Sequence, residues 1–141
     1  MNINKALKLK NKLTRELLEI SQNIQKHNRS KTDKFAYDIK QLLDDYFKKQ
    51  TEIINLKVAI NNASVGAYKY IQTIAETKGN LTMLARINTE DGPDAYHDKI
   101  SYTVALTHHD IDTLKKANQE LLESNQEALE DYNFKTNIDW K

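Results

Sequence analysis

Apolar residues in the middle of the chain recur at alternating spacings of four and three. Phe35, Ile39, Leu42, Tyr46, Ile53, Leu56 and Ile60 fall on this pattern, and Lys49 is the one charged residue at a stripe position. That period holds one face of a helix against a partner helix. A shorter stripe precedes it: Ala6, Leu13 and Ile20 share one heptad position, and Leu17 and Ile24 share the other, where Lys10 is the exception. Asn4 is placed to cap this first helix, which runs to Lys26, and Thr32 or Asp33 to cap the second, because short polar side chains accept from orphan amides of a first turn. Only the polar break His27-Asn28-Arg29-Ser30-Lys31 separates the two helices. An antiparallel helical hairpin over residues 1–62 follows, with a second helix of about 29 residues, or roughly 44 Å.

Asn61-Asn62-Ala63-Ser64-Val65-Gly66 ends or bends that helix, and Gly66 suits a positive backbone angle. A third helix is predicted over 67–88, with Ile71, Ile74, Leu81, Leu84 and Ile87 on one side and Gly79 weakening its interior. Residues 89–106 read as a loop around Gly92-Pro93, then an extended segment in which Ile100, Tyr102 and Val104 alternate with Ser101 and Thr103. A lone strand leaves its backbone unsatisfied, so it must pair with another segment, a loop or another copy. Thr107 caps a fourth helix over 107–133, with Asp110 completing a short capping box. Ile111, Leu114, Leu121, Ala128 and Tyr132 line that helix. Asn118 and Asn125 stand at alternating heptad positions, where buried Asn fixes register if the stripe is an interface. The tail 134–141 keeps Phe134 and Trp140 and is expected to dock.

Composition sharpens this picture. A chain of 141 residues is long enough to bury a core, and three glycines and one proline leave long helices uninterrupted. With no cysteine, disulfides and Cys-based zinc sites are excluded. No apolar run approaches the roughly 20 residues of a membrane span, and the amphipathic N-terminus lacks the apolar core of a signal peptide. A cytoplasmic protein without membrane contact is the expectation. The net charge of +1 conceals an asymmetry. Residues 1–50 carry twelve Lys/Arg against six Asp/Glu, and residues 107–141 carry four against eight. Opposite ends therefore attract, within one chain or between chains. The basic excess is too mild and too poor in Arg for a nucleic-acid reader.

Candidate chemistry is sparse. His108-His109-Asp110, with His97 and Asp98 upstream, is the one cluster that invites a metal, but adjacent helical side chains point about 100° apart, and no HExxH pattern occurs. No P-loop, G-x-G-x-x-G or nucleophile elbow is present, and no carboxylate stands apart as a general acid. No cofactor, metal or catalytic residue is predicted. Lys69, Tyr70, Arg86, Tyr102 and His108 form the best ligand-binding set, since stacking aromatics with Lys and Arg suit an anionic, nucleotide-like molecule. The competing reading is that tyrosines of a helical bundle sit at core margins with wet hydroxyls.

The segments Lys5-Ala6-Leu7-Lys8-Leu9-Lys10-Asn11-Lys12-Leu13, Val58-Ala59-Ile60-Asn61-Asn62-Ala63, Ile100-Ser101-Tyr102 and Tyr132-Asn133-Phe134-Lys135-Thr136 carry a resemblance across nearly the whole chain. The chain resembles the septicolysin-like family of small bacterial proteins. That resemblance implies a helical fold and no assigned molecular function.

The combined expectation is an all-α, coiled-coil-like bundle: one helical domain, 1–141, built on a long hairpin with two further helices. Its leading function is non-enzymatic assembly, as a homo-oligomer or with a protein partner. The alternative is sequestration of an anionic nucleotide-like ligand, as a viral sponge against host nucleotide signalling would do.

Overall fold

The computed structural model describes residues 1–140. It is all-α: α1 (Ile3–His27), α2 (Ile39–Ala63), α3 (Tyr68–Ala85) and α4 (His108–Lys135), with a two-stranded ribbon of β1 (Gly92–Pro93) and β2 (Ser101–Tyr102). The chain divides into two compact units. One is Met1–Gly66 together with the chain from Tyr132 onward, and the other is Ala67–Asp131.

In the first unit α1 and α2 form the expected hairpin. Ile53, Leu56, Ala59 and Ile60 of α2 are buried with Ile3, Ala6 and Leu13 of α1 in one core. Lys49, the charged position of the stripe, has a partner: its Nζ donates to Glu16 Oε2 at 2.6 Å across the hairpin. That hydrogen bond holds the Glu16 carboxyl below its ordinary 4.5.

Both helix starts differ from expectation. Asn2, not Asn4, caps α1, its Oδ1 accepting from the Lys5 amide at 2.9 Å. The cause is long-range, because the tail folds back on the N-terminus. Ile3 N–H donates to Thr136 O, Ile138 N–H donates to Met1 O, and Ile138 enters the core with Trp140 packed against it. Phe134, expected to dock, is 66% exposed instead. Asp38 caps α2 by accepting from the Gln41 amide at 3.1 Å. Thr32 and Asp33 lie within a local turn in which Ser30 Oγ donates to Lys34 O and accepts from Thr32 N–H, while Thr32 Oγ1 accepts from Lys34 N–H. Hydroxyls that bond nearby backbone compete with helix, so Phe35 keeps the heptad spacing but lies outside the helix and exposed. Leu42 is half-buried, and the weight of the seam falls on Leu56.

Ser64 caps α2 at its C-terminal end, and a 3₁₀ turn, Val65–Ala67, leads into α3. Gly66 does not take a positive φ. It is needed for space, because a Cβ there would lie 2.6 Å from Tyr132 Oη, the group that donates to Ala63 O at 2.8 Å. A Cβ added at Gly79 would meet nothing within 4 Å. The two glycines should therefore respond oppositely to alanine. Gly66→Ala should cost about 1–3 kcal/mol by overpacking, and Gly79→Ala should stabilise by about 0.5–1 kcal/mol through helix propensity. Urea unfolding midpoints of the two variants check both signs.

In the second unit α4 opens with the predicted capping box. Thr107 Oγ1 accepts from Asp110 N–H at 3.1 Å, and Asp110 Oδ2 accepts from Thr107 N–H at 2.9 Å. Hydrogen bonding from Thr107, its backbone N–H first and its side chain second, holds the Asp110 carboxyl below its ordinary range. Leu84 is buried on α3 as expected, together with Thr77, whose hydroxyl donates to Thr73 O. Ile111 and Leu122 are buried on α4. Asn118 accepts from Asn80 Nδ2 at 3.3 Å, so its amide bridges α3 and α4 of one chain. The extended segment pairs with the preceding loop, Gly92 opposite Tyr102 and Pro93 opposite Ser101, with Gly92 at φ +88°.

Candidate functional site

The five residues nominated for an anionic ligand do not converge. Lys69 and Tyr70 stand in the first turn of α3, and Arg86 caps its far end. Arg86 stands seventeen positions beyond Lys69, about 25 Å at 1.5 Å per residue, so the two cannot hold one phosphate. Tyr102 lies on the ribbon and donates to Asp94 Oδ2 at 3.2 Å. It lines a cavity of about 520 Å³ whose ionisable walls are Glu90, Asp91 and Asp94, with Tyr96 beside them. Three carboxylates and no cation make that cavity hostile to an anion. His108 is exposed at the start of α4, its Nε2 3.3 Å from Asp112 Oδ2 one turn on. Among the described residues no group of three or more His, Asp or Glu side chains is arranged to hold a metal.

A different surface stands out on α2. Leu43, Phe47, Ile54 and Val58 are 45%, 55%, 54% and 55% exposed. Their spacings of four, seven and four residues place them within about 60° of one another around a 3.6-residue helix. The core stripe of Ile53, Leu56 and Ile60 is centred about 140° away on the same helix by the same periodicity. α2 is thus apolar on two faces: one closes the hairpin against α1, and the other faces solvent. Tyr46 stands edge-on to Phe47, ring centroids 5.5 Å apart. The Glu16–Lys49 contact sets the register of the hairpin, so Leu18, two residues beyond Glu16, lies level with Phe47, two residues before Lys49. Leu18 is also exposed, at 56%.

The residues between and beside the stripe are polar: Gln50, Thr51, Asn55 and Asn61, with the charged Lys40, Asp44, Lys48 and Lys57 along its margins. Scattered exposed apolar residues are ordinary on a protein surface, whereas several aligned on one helix face, here in two pairs on either side of Gln50 and Thr51 and rimmed by polar groups, point to a contact surface. The four-seven-four recurrence was present in the sequence. It was hidden because the longer core stripe interleaves with it residue by residue, and only burial tells the two faces apart. No family model, curated protein or solved structure matches this chain.

Proposed function

We propose that the protein is a non-enzymatic, cytoplasmic helical assembly protein that associates with copies of itself through the exposed face of α2. The observation that carries this reading is the row Leu43, Phe47, Ile54 and Val58, each about half exposed along one helix face. The row is self-complementary. When two α2 helices lie antiparallel about a two-fold axis between Gln50 and Thr51, Leu43 meets the other copy's Val58 and Phe47 meets its Ile54. A two-fold interface demands this property, that one patch serve both partners. The row spans about 22 Å of helix, which belongs to the small end of specific interfaces, so the expected dimer is weak, with a dissociation constant on the order of 10 μM.

Sequestration of an anionic ligand has no comparable support, since Lys69 and Arg86 stand at opposite ends of α3. Membership of the septicolysin-like family, carried by the four motifs above, is proposed alongside and supplies no activity. Sedimentation equilibrium of the wild-type chain beside Ile54→Lys tests the reading. Self-association of the wild type that the variant loses supports it, and a wild type that stays monomeric to several hundred micromolar, well above the expected constant, overturns it.

A further inference from the structure

Two exposed helix faces carry opposite charge at the same spacing. On α1, Lys5, Lys8, Lys12 and Arg15 follow one another at three, four and three residues, and all four are exposed. On α4, Glu120, Glu123, Glu127 and Glu130 repeat the same three-four-three spacing, and all four are exposed. Within each helix the row spans about 15 Å and an arc of about 80°. The helices themselves are charged accordingly: α1 carries six Lys/Arg against two Glu, and α4 carries seven Asp/Glu against three Lys.

Each row is unfavourable on its own helix. Like charges three and four residues apart repel. The basic row begins in the first turns of α1, whose dipole end favours anions, and the acidic row runs toward the C-terminal end of α4, which favours cations. A merely solvated face mixes its signs, as α2 does where Asp44 and Lys48 pair one turn apart at 3.6 Å. The single-sign rows have little such relief. The one ion pair on the basic row is Lys12–Glu16 at 3.9 Å, and among the described residues none of the four glutamates is in an ion pair.

We infer that the basic face of α1 receives the acidic face of α4 from a second copy of this chain. The inference rests on the self-association proposed above and adds a second, electrostatic contact to it. The three-four-three spacing reads the same in both directions, so an antiparallel pairing sets Lys5 opposite Glu130, Lys8 opposite Glu127, Lys12 opposite Glu123 and Arg15 opposite Glu120. Exposed ion pairs contribute little affinity one by one. Four in register choose the partner, reject like-charged faces and make association dependent on salt.

Complementary charge reversal in the full chain tests this contact. Lys8→Glu/Lys12→Glu leaves the α1 face with two charges of each sign opposite an all-acidic α4 face, and Glu123→Lys/Glu127→Lys leaves the α4 face mixed opposite an all-basic α1 face. Each variant thus sets two like-charged pairs in its own contact, while the mixture restores four opposite ones. Each alone should raise the self-dissociation constant about tenfold at low salt, and an equimolar mixture should recover to within about threefold of wild type. Far-UV circular dichroism controls for folding, since all four positions are exposed. If the variants self-associate like wild type while Ile54→Lys does not, the charge contact is wrong and the α2 interface stands. If Ile54→Lys associates normally and the charge variants do not, the charge contact stands and the α2 interface falls. Reversal that changes only the melting temperature, with association unaltered, assigns the two rows to pairing within one chain and overturns the inference.

Discussion

Leu56→Ala is expected to cost about 2–5 kcal/mol of folding free energy, the largest effect of any single substitution considered. Leu56 is fully buried at the centre of the hairpin seam, between Ile53 and Ile60. Ile3 and Ala6 of α1 are buried in the same core as completely as Leu56, so neither is free to move into a void left by a truncated leucine. Collapse around the cavity is hindered from both directions along the hairpin. The 2.6 Å Lys49–Glu16 contact pins the two helices at mid-length, and the tail ties the end that holds the N-terminus, where Ile3 N–H donates to Thr136 O and Ile138 N–H donates to Met1 O. A domain of this size is stabilised by roughly 5–15 kcal/mol in total, so the loss should be plain in a urea titration. Ile54→Ala, two residues away and on the exposed face, should change the same midpoint by less than about 1 kcal/mol. Similar costs at the two positions would contradict the assignment of one buried and one open face to α2.

Ile54→Lys should raise the dissociation constant for self-association by at least about 100-fold, equivalent to roughly 2.7 kcal/mol. In the free chain the side chain at position 54 is half exposed, and a lysine there keeps its ammonium in water and lays its methylenes along the helix. In the dimer the same ammonium faces Phe47 of the other copy, near the two-fold axis, and occurs twice. Desolvating two unpaired charges at the centre of a small apolar contact outweighs what that contact gains. The signature is specific: the weight-average mass falls to that of a monomer, while the thermal midpoint of the monomer and its helical content stay unchanged.

Local chemistry was legible in the chain wherever the deciding contacts are local. The Thr107–Asp110 capping box forms as the sequence predicts because both partners lie within one turn. The Ile53, Leu56 and Ile60 seam is equally plain, since a stripe with that period must face another helix. The helix starts were misplaced for two reasons. At α2 the hydroxyls of Ser30 and Thr32 hold a turn that the heptad spacing of Phe35 conceals. At α1 the cap shifts to Asn2 because a tail more than a hundred residues away pairs with it, Asn2 opposite Asn137. The ligand set failed on distance. Tyrosine, lysine and arginine within one stretch of sequence suggest a site, but an unbroken α3 carries Lys69 and Arg86 to opposite ends. The exposed row on α2 follows from residue spacing alone, yet spacing cannot say which of two apolar faces meets α1.

Single-cysteine cross-linking tests the self-pairing of α2 most directly, because the chain has no cysteine of its own. With the two-fold axis between residues 50 and 51, Gln50→Cys and Thr51→Cys each lie within reach of the same residue in the other copy. Leu43→Cys lies about 22 Å from its own counterpart but directly opposite position 58. Mild oxidation should therefore give covalent dimers from Gln50→Cys and Thr51→Cys and none from Leu43→Cys, and a mixture of Leu43→Cys with Val58→Cys should give the heterodimer. Equal dimer yields at positions 43 and 51, or none at any position, would contradict the account.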